Sequence, residues 1–105
     1  MVMEKQFEEI IYSRYQTRIR DMKILKVDEG FEQILGYSAE DVERLQLHVK
    51  DIMLDEDWED YTKIIYAKMA SRGEAYLGHR LKKKNGEIIY VFCFGRAFQS
   101  EEGEM

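Results

Sequence analysis

The side chains that could do chemistry are few: two histidines, one cysteine, and a run of carboxylates at Asp55, Glu56, Asp57, Glu59 and Asp60. His79 alternates with Leu77 and Leu81 in an extended stretch, so the three share one face. On a covered face its imidazole could hydrogen-bond a ligand or serve as an axial haem ligand. The simpler reading is a core or rim histidine satisfied by a backbone carbonyl or water. His48 directly precedes a turn at Val49–Met53 and reads as a surface loop residue. Neither histidine has HxxxH or HExxH spacing, so no metal site is assigned. Cys93 shares a strand face with Ile89 and Val91, an apolar setting for a small packed side chain. A reactive thiol would need electropositive, partly exposed surroundings. The carboxylates stand where a helix begins, and its dipole explains them without acid–base catalysis. Lys82-Lys83-Lys84 reads as a solvated hairpin tip, too short for a nucleic-acid patch. No glycine-rich phosphate loop, nucleophile elbow or triad pattern is present, so no catalytic residue is assigned.

The frame that must position these groups is small. The chain has 105 residues, one cysteine, no proline, and 16 basic against 21 acidic side chains, a net of −5. That length fits one domain, residues 1–105, and leaves no room for a second core. Hydrophobic residues at 45% suffice for a packed interior and argue against disorder. A lone cysteine excludes an internal disulfide and a multi-cysteine zinc site. The acidic balance argues against a nucleic-acid binder, which normally carries a basic face. No apolar run reaches the roughly 18–20 residues needed to span a bilayer. The start MVMEKQFEEI lacks the pattern of a cleavable leader. The expectation is a soluble cytoplasmic domain with no membrane contact.

Met3, Phe7, Ile10 and Ile11 are spaced as one stripe of an acidic amphipathic helix, which predicts a flanking helix over residues 1–13. YQTRI and KILKV then read as an antiparallel hairpin turning at Arg20-Asp21. Asp28 is placed to cap a short helix ended by Gly36, and Ser38 with Asp41 resembles a capping box for the next. Trp58, Tyr61, Ile65 and Met69 mark the longest helix, closed at Arg72-Gly73. Residues 75–84 alternate as a strand, and Asn85-Gly86 predicts a type I′ turn into a second strand over 87–98. That last strand is apolar on both faces: Ile89, Val91, Cys93, Gly95 and Ala97 on one, Ile88, Tyr90, Phe92, Phe94 and Phe98 on the other. Both faces are therefore expected to be covered.

Three segments in this order are similar to the PAS-domain (PAS/PAC) family of sensors. VDEGFEQILGYSAEDV (Val27–Val42) resembles its short helix, Gly-Tyr-Ser turn and capped helix. LDEDWEDY (Leu54–Tyr61) resembles the acidic start of its long helix, and HRLKKKNGEIIYVFCFG (His79–Gly95) its closing hairpin. The resemblance implies an α+β fold: a five-stranded antiparallel sheet with short helices and one longer helix on one face, and a cavity between them. It places the core at residues 14–105. The family's fifth strand would follow Glu102-Gly103, whereas the sequence stops at Met105, so that strand is expected to be truncated and the chain to be a segment of a longer protein. Such domains sense a ligand, light, redox state or a partner. They regulate a fused histidine kinase of a two-component system, a diguanylate cyclase or a transcription factor. The Asn-Cys-Arg-Phe-type motif of the flavin photoreceptors is absent, so adduct chemistry is rejected. Haem is disfavoured because the family's haem histidines sit on helices; His48 is better placed for that role than His79.

The resulting expectation is a non-catalytic sensory module of a bacterial signalling protein. Its cavity would be lined by Leu35, Ile52, Tyr61, Ile65, Leu77, His79, Leu81, Val91 and Cys93. Those residues suit a small, mostly apolar ligand with one or two polar handles. The outer sheet face, with Tyr90, Phe92, Phe94 and Phe98, would be covered by the terminal stripe of Phe7, Ile10 and Ile11 from its own or a neighbouring subunit, giving a homodimer. Two alternatives stay open: a ligand-free dimerisation domain, and a small enzyme of the ketosteroid-isomerase type. The enzyme would need a buried carboxylate in the cavity.

Overall fold

The computed structural model describes residues 1–5, 9–97, 99–100 and 103–104. Two short strands, β1 (Val2–Lys5) and β2 (Glu9–Tyr12), lead into a hairpin of β3 (Tyr15–Arg18) and β4 (Lys23–Val27). Helices α1 (Glu29–Leu35) and α2 (Ala39–Arg44), a 3-10 turn (Val49–Ile52) and the long α3 (Asp55–Arg72) follow. The hairpin of β5 (Glu74–Lys82) and β6 (Ile88–Arg96) comes next, then the short β7 (Gln99–Ser100) and β8 (Gly103–Glu104). The result is an α+β fold in which helices cover one face of antiparallel strands.

The helix starts follow the sequence signals. The Asp28 carboxylate accepts from Phe31 N at 3.2 Å, and Gly36 ends α1 in the left-handed region at φ 85°. Ser38 and Asp41 exchange the two bonds of a capping box, 3.0 and 3.2 Å. Asp28 also accepts from Ser13 Oγ at 3.1 Å and Arg14 N at 2.9 Å, so one carboxylate ties the β2–β3 junction to the head of α1. Phe31, Ile34, Leu35, Met53, Leu81 and Val91 are fully buried and form the centre of the core. The core sits between α1, the 3-10 turn and the tip half of the β5–β6 hairpin, where Lys84 N donates to Leu35 O at 2.8 Å.

Three expectations are corrected. The first is the terminal helix: the described residues of 1–13 form β1 and β2, paired with Met3 opposite Ile11. Both of these side chains pack on the core, not on an outer helix stripe. A free helix of about ten residues is marginal in water, whereas β6 offers an edge, taken by Val2 opposite Phe92. Phe7 and Phe98, and the side chain of Ile10, lie outside the described residues. The second is the sheet, which is not one five-stranded layer. β2-β1-β6-β5 form four strands, β3-β4 a separate pair, and β7-β8 another. The third is the turn at Asn85-Gly86. Only Gly86 has positive φ, 92°. Gly86 N donates to Lys83 O and Lys83 N to Glu87 O, which closes a three-residue loop with glycine at its left-handed position.

Burial raises the Asp28 carboxyl, but the N–H groups of Arg14 and Phe31 and the Ser13 hydroxyl outweigh it and hold it below the usual range. A depressed carboxylate stabilises the fold above its unfolded value and loses that contribution in acid. Asp28→Ala should lower the unfolding free energy at pH 7 by about 1–2 kcal/mol in urea titration. The difference from the parent should shrink below roughly pH 4. Asp28→Asn, which keeps an acceptor oxygen for the cap, should lose less.

Candidate functional site

A cavity of about 630 Å³ lies between α3 and the inner face of β5 and β6, with β3 at its side. Tyr61, Ile65 and Met69 fall at successive turns of α3 and form its roof. Leu77 and His79 of β5 and Cys93 of β6 form its floor. No residue of α3 is fully buried, because part of the space beneath the helix is cavity and not packed core.

Of the nine expected lining residues, Tyr61, Ile65, Leu77, His79 and Cys93 are on the wall. Leu35, Ile52, Leu81 and Val91 are not: they are 0, 3, 2 and 0% exposed and belong to the closed core. The strand period puts Leu81 and Val91 on the same face as His79 and Cys93. They lie nearer the hairpin tip, where α1 docks and no space is left. Tyr15, Thr17, Ile19 and Met22 also line the cavity and were not expected there. The alternation Tyr15-Thr17-Ile19 was the signal that placed them on one face.

Polar groups inside the cavity are few and neutral. Tyr15 Oη donates to Cys93 Sγ at 3.7 Å. Burial pushes the Tyr15 and Tyr61 phenols well up, the Cys93 charge adding to both, and burial also raises the Cys93 thiol. All three therefore stay protonated near neutrality, which removes the nucleophile from Cys93. The Tyr61 ring meets the His79 imidazole edge-on, centroids 5.0 Å apart. His79 Nδ1 lies 3.4 Å from Arg80 O, while buried Nε2 has no hydrogen-bond partner among the described residues. Burial lowers the His79 pKa, against smaller opposing effects of Arg80 O and Asp57.

The exposed residues of the lining, Arg14, Lys26, Asp28, Phe94 and Arg96, lie around the β3–β4 hairpin and on β6, so the cavity meets solvent on that side. Ala97 N donates to Gly73 O and Lys83 N to Glu87 O, so odd-numbered β6 residues bond β5 and even-numbered ones point their backbone groups away. On that far side Phe92 meets Val2, but among the described residues no strand pairs with Phe94 or Arg96. Phe94 to Ala97 form one lip of the opening, and Arg14, Gln16 and Lys26 contribute to the other.

Several of the remaining singled-out residues have structural partners. His48 starts the 3-10 turn, with Nδ1 2.9 Å from Gln46 O, and is not on the cavity wall. Asp57 receives both Arg80 donors at 3.0 and 2.8 Å, fastening the head of α3 to β5. Lys83 pairs with Glu87 and Lys84 with Asp41. On the outer face Tyr76, Tyr90, Phe92 and Phe94 are 65, 56, 49 and 61% exposed. Tyr90 and Phe92 meet edge-on over Gly78, where an added Cβ would stand 2.6 Å from Tyr90 Oη. The expected helical cover from the same subunit is not formed, since the described N-terminal residues are strands at the sheet edge.

Comparison with known proteins places this geometry. The family profile described as PAS fold matches residues 24–105. No curated protein sequence matches significantly. Among solved structures, the PAS domain of a protein from Colwellia psychrerythraea aligns with a TM-score of 0.75 at 20% identity, over 89% of this chain and 75% of that one. That likeness is one of fold alone.

The lowered His79 pKa has a consequence for stability. The unfolded imidazole takes a proton near pH 6.5 while the buried one resists it, so stability should fall as pH drops below about 6.5. His79→Leu should flatten the dependence of the melting temperature on pH between about 6.5 and 5, measured by thermal circular dichroism. An unchanged slope would mean the imidazole titrates as if exposed.

Proposed function

The chain belongs to the PAS fold family, and from that premise we propose that it is a sensory module which binds a small, mostly apolar molecule between α3 and the inner sheet face. The observation that carries this is the cavity itself, about 630 Å³ of space walled by Tyr61, Ile65, Leu77 and Cys93. It falls within the roughly 300–1,000 Å³ range typical of ligand pockets. Its three buried protonated hydroxyl and thiol groups and one imidazole supply hydrogen bonds without charge. Occupancy would bear on α3, which lacks a fully buried anchor, and shift the balance of its packing against β5 and β3. A fused diguanylate cyclase or histidine kinase is the output that this reading favours, and the domain itself does no chemistry. The ketosteroid-isomerase alternative needs a buried carboxylate in the cavity to act as general base. Among the described residues the one carboxylate on the wall, Asp28, is exposed, and its oxygens are taken by Ser13 Oγ and the N–H groups of Arg14 and Phe31.

A second reading, self-association without a ligand, is favoured by the uncovered ring cluster of the outer face. Contiguous apolar patches of this kind mark interfaces, and burying one such ring is worth about 1.5–3 kcal/mol before entropy is counted. A second copy would cover the patch in a homodimer.

Native mass spectrometry of freshly purified protein should show a retained small molecule. Leu77→Trp, which fills the cavity, should abolish retention while leaving the circular dichroism spectrum intact; ligand-free parent protein would remove the sensing reading. Phe92→Lys should weaken dimerisation at least about tenfold in sedimentation equilibrium, the loss of one buried ring. Unchanged association would exclude the outer face as the interface.

A further inference from the structure

The charged residues on the cavity wall are unlike those of the chain as a whole. The sequence carries 21 acidic and 16 basic side chains. Along the cavity, by contrast, Arg14, Lys26 and Arg96 stand against one carboxylate among the described residues, that of Asp28. Asp28 is already occupied by Ser13 Oγ and two backbone N–H groups. Arg14, Lys26 and Arg96 are exposed and form no ion pair among the described residues, a lack of pairing they share with Arg20, Lys23, Lys50, Lys68, Arg72 and Lys82; their place on the cavity wall is what sets them apart. These three cations lie on the side where the cavity meets solvent. There the backbone groups of Phe94 and Arg96 face no strand among the described residues. Further in, the wall is apolar and its phenols and thiol are uncharged.

We infer that the ligand is an amphipathic monocarboxylate, its apolar body under α3 and its carboxylate at the opening. The inference rests on the cavity reading above and adds the ligand class and its orientation. A carboxylate at the lip replaces water with the guanidinium of Arg96 or Arg14 and the backbone N–H of Phe94 or Arg96, which faces no strand among the described residues; these are charge-assisted bonds. The reverse orientation would strand a negative charge among Ile65, Leu77 and Cys93, with only neutral donors to solvate it. An acidic domain with a basic opening also concentrates anions at that one place. Both a straight chain and a flat ring system satisfy this chemistry.

Isothermal titration calorimetry with matched pairs tests it: decanoate against decanol, and 2-naphthoate against 2-naphthalenemethanol, at pH 7.5 and low salt. The carboxylate of at least one pair should bind about tenfold tighter than its alcohol. Arg96→Gln combined with Arg14→Gln should bring its affinity down to that of the alcohol, and 0.5 M salt should narrow the gap. Which pair shows the preference tells a linear from an aromatic body. Equal affinity for acid and alcohol would overturn the carboxylate assignment and leave the cavity reading standing. Failure of all four probes to bind, with Leu77→Trp giving the same blank, would overturn both.

Discussion

Backbone pairing between β5 and β6 is the constraint on which the rest depends. The register from Glu74 opposite Arg96 to Lys82 opposite Ile88 assigns every side chain of the hairpin to a face. One face carries Leu81 and Val91 into the core and His79 and Cys93 onto the cavity floor. The other carries Tyr76, Tyr90, Phe92 and Phe94 into the open. A slip of one residue would exchange the two sets and bury rings where α1 and α3 leave no room for them. The same ladder turns the backbone groups of Phe94 and Arg96 away from β5, to a side where no strand pairs with them among the described residues.

Covering that hairpin divides the labour among the helices. α1 and the 3-10 turn close the tip half so tightly that Phe31, Ile34 and Leu35 show no exposure. Across the other half α3 is held by peripheral links, Arg80 with Asp57 at its head and Tyr66 Oη donating to Ile19 O at 3.0 Å further along. Surface ion pairs of this kind contribute little stability. The domain is closely packed at the hairpin tip, while under α3, where Trp58, Tyr61 and Ile65 are only partly buried, the cavity takes the place of core.

Electrostatics follow the same division. Asp21, Asp41 and Asp57 are held below the usual carboxylate range, chiefly by hydrogen bonds from Arg18, Lys84 and Arg80. These pairs consume much of the surface charge near the helix ends. The cations on the cavity wall, Arg14, Lys26 and Arg96, outnumber its carboxylates among the described residues, so the wall has the opposite charge balance from the chain as a whole.

Local chemistry made much of this legible from residues alone. Asp28, Gly36, Ser38 with Asp41, and Gly73 marked the helix boundaries because capping depends on near neighbours. The period of two in residues 88–96 gave the two faces of β6 without any tertiary knowledge. Three things required the folded chain. Whether Met3 to Ile11 coil or extend depends on the β6 edge, which is distant in sequence and offers bonds that a short helix cannot match. Which inward residues border space and which border other atoms depends on where α1 stops, so Leu81 and Val91 joined the core while Leu77 and His79 met the cavity. The basic opening came from segments far apart in the chain, Arg14 beside β3 and Arg96 at the end of β6. Sequence periodicity reports the face on which a residue lies; only packing decides what that face meets.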